Sequence, residues 1–207
     1  MRFVQTVIVA AFVSCAHAWD SVAEMETAVC QALTNENYLL SSTFTNQLAA
    51  AINSPSVEMK CEAYIMFSIH AYQNFLNTAD DSWLQIEMCN ASNAVSTIGM
   101  STNKWQYWAS RFVHAGAFCS VSNYESSFAV LSNALQEASY SCFTNNSPGP
   151  VERAIFDKFE MPNVGVIDAM RIMAGMSAAE LGNGSVATNY ANQVPVPFRN
   201  VILEFVK

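Results

Sequence analysis

Apolar residues recur along this chain at spacings of three and four, and almost never in strict alternation. That is the period of a helix burying one stripe, not of a strand burying one face. Ser21-x-x-Glu24 has the form of a capping box and opens a helix carrying Val22, Met25, Val29, Cys30 and Leu33. A shorter helix is predicted over 42–53, stopped by Ser54-Pro55. Ser56 caps a longer one, on which Cys61, Tyr64, Phe67, Ser68, Ala71, Tyr72 and Phe75 share a stripe. Asp81 or Ser82 starts the next, with Leu84, Met88, Ala91 and Val95 on one face.

Thr102 or Asn103 caps a helix whose stripe is aromatic: Trp105, Trp108, Phe112, then Ala115 and Cys119. Ser122-x-x-Glu125 is a second capping box, leading into Phe128, Leu131 and Leu135. Residues 144–150 read Thr-Asn-Asn-Ser-Pro-Gly-Pro, a linker by composition. Beyond it Pro150 suits the first turn of a helix reaching Phe159. Another is expected from Asn163 to Gly175, and a third capping box, Ser177-x-x-Glu180, opens a last one closed by Gly182. The final stretch, with Pro195 and Pro197, fits a helix or an extended tail equally. The pattern predicts an all-α fold, a bundle of roughly eight helices. A bundle over 19–143 and a linker over 144–150 precede a C-terminal helical segment, 151–207, packed on or continuing the bundle.

The first 18 residues differ from the rest. Arg2, an apolar run from Val4 to Cys15 and Ala16-His17-Ala18 form the three parts of a secretory leader. The run is shorter than the roughly 20 residues a spanning helix needs, so the mature chain is expected to be secreted, extracellular and free of the membrane. Secretion gives meaning to three glycosylation sequons, at Asn90, Asn145 and Asn183.

Hydrophobic residues make up 52% of the 207 and charged residues 13%, which excludes a disordered tail and allows a large core. Nine Lys+Arg against 17 Asp+Glu leave a net charge of −8, the wrong sign for a nucleic-acid partner. After the leader, Cys30, Cys61, Cys89, Cys119 and Cys142 remain, about one per predicted helix and with no Cys-x-x-Cys. In an oxidising compartment two bridges would staple helices together, in a pairing the spacing leaves open, with one thiol over. That thiol is either buried and inert or links two chains.

Catalytic constellations are missing. His70 and His114 lack the spacing of a metal pair, and there is no nucleophile elbow or glycine-rich phosphate loop. The expectation is a protein that is no enzyme and takes no cofactor and no metal. The aromatic stripe could line a ligand cavity, though core packing explains it as well. Glu58 and Glu62 lie one helical turn apart and Asp80-Asp81 adjoin a helix start. Like charges at such spacing repel, and mild acid relieves them, so these four are candidates for pH-sensing assembly.

The stretch Lys60-Cys61-Glu62-Ala63-Tyr64-Ile65-Met66-Phe67 resembles a helix of spidroin N-terminal domains, and Trp19 matches the tryptophan that opens that domain. Residues 112–128, with Leu131 and Ala134-Leu135, are similar to the helical units of aciniform and tubuliform spidroins. The resemblance covers about a third of the chain, while five cysteines and the absence of a repetitive Gly/Ala region depart from it. It implies a silk-gland structural component that assembles with itself or with silk chains, as a homo-oligomer with or without a disulfide between chains. The alternative is a secreted helical carrier for a hydrophobic small molecule, which an apolar cavity of a few hundred Å³ would favour.

Overall fold

A computed structural model of the chain describes residues 19–98, 104–140 and 148–206. Among them there are eleven helices and no strand. The leader, Cys142, Asn145 and most of the expected linker lie outside the described residues.

The first helix, α1 (Val22–Thr34), starts where Ser21 accepts a hydrogen bond from the Glu24 N–H at 3.2 Å. Its box is displaced by one residue, because the Glu24 carboxylate takes the Asp20 N–H at 3.0 Å. A single turn that periodicity does not reveal, α2 (Glu36–Leu39), leads into α3 (Ser42–Ile52). Ser56 caps α4 (Val57–Thr78), which is enclosed by α1, α3, α5 (Ser82–Ile98) and α6 (Lys104–Ser120). Enclosure makes α4 buried well beyond one stripe: Met59, Cys61, Glu62, Ile65, Met66 and Ile69 are all inside.

Two expected helix starts are not starts. Ser122 sits at φ 57°, ending α6 in the left-handed region, and Asn123 instead caps α7 (Tyr124–Tyr140) by accepting the Ser126 N–H. Ser177 lies inside α9 (Val166–Glu180), which runs straight through Gly175. The reason is tertiary. Helix α11 (Val196–Glu204) crosses at Gly175, where a Cβ would stand 2.9 Å from Ile202 Cδ1. The glycine there serves a close approach and not a helix end.

Between them, α8 (Pro150–Lys158) has Pro150 in its first turn and packs on α1 and α6. Helix α9 lies on α7, and α10 (Gly184–Ala191), capped by Asn183, lies on α9. The C-terminal stretch is therefore helical and shares one core with the rest, from Met25 to Ile202.

The four described cysteines sit in different surroundings. Cys30, Cys61, Cys89 and Cys119 are all free thiols. Cys61 is buried and donates to the Ala94 carbonyl, Cys119 donates to Ser127 Oγ, and Cys89 faces solvent. A shared apolar core runs through the described helices.

Candidate functional site

A partly open cavity of about 510 Å³ lies where α9 faces α11 and the end of α8. On α9 the positions Ile172, Met173, Met176 and Glu180 recur at helical spacing and turn one face toward it. Helix α11 contributes Phe198 and Val201, with Phe205 just beyond its end, on one side of the buried Ile202. Phe159 and Met161 close it from just beyond the end of α8. The floor is polar and satisfied: the Cys119 thiol donates to Ser127 Oγ at 3.2 Å, and the Ser127 and Ser177 hydroxyls are 3.0 Å apart. Methionines adapt their shape to what they touch, so the walls suit an apolar body of irregular outline.

A second cavity, of about 310 Å³, lies between α4, α5 and α6. Cys119, Phe159 and Met173 line both. Phe159 stacks on Tyr72 at 6.1 Å and meets Phe112 edge-on at 5.5 Å. Gly116 faces open space, since a Cβ there would meet nothing within 4 Å. One charged group lines the second cavity: Glu87, pushed up to about 7 by burial and eased back by the Ser120 hydroxyl.

The four expected acids differ in burial. Glu58 is half-buried near the start of α4 and accepts from Ser56 Oγ at 3.0 Å. Glu62, one turn on, is wholly buried and so forms no solvated acidic face with it. Its Oε2 accepts from Gln106 Nε2 at 3.3 Å; burial first, then the nearby Glu26, push its carboxyl up to about 9. Asp80 and Asp81 are exposed, and Asp80 caps α5 by accepting the Ser82 N–H at 2.9 Å, which holds it below the usual carboxylate range. Of these four acids only Glu62 is buried.

The aromatic stripe is core. Trp108 and Phe112 are buried, and Phe112 packs edge-on against Phe156 and Phe159 at 5.5 Å. Trp105 donates to Glu26 at 2.7 Å and ties α6 to α1. His70 and His114 are held below the ordinary imidazole range, chiefly by burial. Of the sequon asparagines, Asn90 sits mid-helix, donating to the Ile86 carbonyl, and Asn183 is exposed at its cap. Among the described residues, no helix is long and apolar enough to cross a membrane.

Glu87 and the cavity-lining phenylalanines of α8 and α11 were not singled out by sequence pattern. The signal for Glu87 was present: with Ala91, Ala94 and Ile98 it follows a four-three-four spacing, an acid on an apolar seam. No family model, no curated protein and no solved structure matches this chain.

Proposed function

We propose that this protein is a secreted, non-enzymatic helical carrier that holds an apolar small molecule in the cavity between α8, α9 and α11. The observation that carries the reading is the cavity itself: about 510 Å³, walled by methionine and phenylalanine, in the size range of small-molecule sites. A chain that only packed helices together would fill such a space with side chains, because interiors are close-packed. The lining offers no histidine, lysine or arginine to activate Cys119, so the site is suited to holding a molecule and not to transforming it.

Titration with Nile red, an uncharged fluorescent probe, tests this directly. Binding should saturate at about one probe per chain, and Val201→Trp, which fills the cavity from α11, should abolish it. Non-saturating uptake, or uptake unchanged in the filled variant, would remove the carrier reading. Secretion belongs to the same proposal and is checked by N-terminal sequencing of secreted protein, which should begin at Trp19. The assembly of silk-type helices ranks second, since Glu62 is enclosed where that reading needs an acidic surface. Oligomers appearing on sedimentation at pH 5.5 and absent at pH 7.5 would reverse the order.

A further inference from the structure

An uncharged apolar cargo leaves one group in the smaller cavity without a use. Glu87 is 4% exposed, and its Oε1 accepts from Ser120 Oγ at 3.3 Å. Its Oε2 is buried with no hydrogen-bond partner. A buried acceptor without a donor opposes folding, so its place on a cavity wall points to a ligand that supplies the donor. The charges around it narrow the choice. Glu87, Glu160 and Glu180 are the charged residues lining the two cavities, and no lysine, arginine or histidine is among the lining residues. The chain as a whole carries −8. A carboxylate head would meet repulsion and a lost donor; a cationic head would meet neither.

We propose that the cargo is an apolar amine, with its nitrogen at the Glu87 carboxyl, which turns Oε2 toward it on binding, and its hydrocarbon running past Met173 and Phe159 into the larger cavity. This rests on the carrier reading and adds the head group to it. Three features fit. Cys119, Met173 and Phe159 border both cavities, so the two lie side by side with these residues between them. Open space at Gly116 gives the head room in the cavity that Glu87 lines. Burial pushes the Glu87 carboxyl up to about 7, so near neutral pH a small electrostatic gain is enough to ionise it beside an ammonium.

The test is calorimetric titration of the full chain with decylamine, decanol and decanoate, run on the natural protein and on Glu87→Gln, with Nile red titrated in parallel. Glutamine keeps the oxygen that accepts from Ser120, and the three-ligand series on the natural protein needs no variant at all. Decylamine should bind about tenfold or more tighter than decanol, and decanoate weakest. Glu87→Gln should bring the amine within about twofold of the alcohol and leave Nile red unchanged. Equal affinity for all three heads, or a preference for the alcohol or the acid, with Nile red still saturating, overturns the amine and leaves the carrier standing. An amine preference that survives in Glu87→Gln overturns Glu87 as its anchor. Failure of every ligand and of Nile red overturns both readings.

Discussion

Two glycines inside helices make opposite demands. Gly116 faces empty space, while a Cβ on Gly175 would meet Ile202 at 2.9 and 3.0 Å and Tyr190 at 3.2 Å. Alanine in a helix interior gains about 0.5–1 kcal/mol over glycine in both places. At Gly116 nothing opposes that gain, so Gly116→Ala should raise the melting temperature by a few degrees. At Gly175 the methyl must displace a fully buried isoleucine, an overpacking cost of about 1–3 kcal/mol, so Gly175→Ala should lower it. Differential scanning calorimetry of the two variants distinguishes them by sign. Glu62 makes a second case at this scale. Its folded carboxyl titrates near 9 and its unfolded one near 4.5, so the folded state binds the proton more tightly. The stability it confers is complete below pH 4.5 and is lost as pH rises toward 9. The groups facing it, Glu26 from α1 and Gln106 from α6, supply no cation to hold its ionised form. Glu62→Gln should therefore stabilise the protein at pH 8 by a few kcal/mol at most and flatten urea-denaturation midpoints between pH 5 and 8.

At the scale of the element, α4 is well begun and poorly ended. Ser56 satisfies the Met59 N–H at its start, while Ala79, at φ 53°, takes the left-handed cap that glycine occupies without steric cost. Ser56→Ala should cost about 1 kcal/mol. Ala79→Gly should return a comparable amount, about 1 kcal/mol, with chemical denaturation reading both. Such ends were legible in the chain: Ser21, Ser56 and Pro150 act where their types and neighbours put them. The interior of the bundle was less so. Periodicity names the apolar face of a helix, and α4 has partners around most of its circumference, so Glu62 looked like one of a solvated pair. Ser122, Ser177 and Gly175 carried the right residue types for helix ends, but a turn of φ 57°, a buried hydroxyl network and a crossing isoleucine decide their roles. For the candidate site, the methionines were visible as a composition and not as a place. The α9 and α11 residues become one surface only after the chain has folded back across Gly175.

Taken as a whole, the molecule is a single apolar core whose four described thiols differ in how easily reagents reach them. Cys61 is buried and pushed up to about 12, chiefly by burial, whereas Cys89 is exposed. Iodoacetamide labelling followed by peptide mass mapping should find Cys89 modified well before Cys61, and denaturant should remove the difference; equal native rates would contradict the described packing. Unevenness also marks the outer wall of the large cavity. Helix α11 has nine residues and one fully buried side chain, Ile202, supported by the half-buried Phe198 and a hydrogen bond from Arg199 to the Ala191 carbonyl. So short a helix has little stability of its own, and one isoleucine contributes about 1.5–3 kcal/mol. Amide deuterium exchange in α11 should be fast in the empty protein and slow once decylamine is bound. A container whose wall is its most loosely tied part empties by peeling: the dwell time of the cargo is then the lifetime of Ile202 in its notch, and a slower-releasing version is made at that notch without touching the walls that grip the cargo.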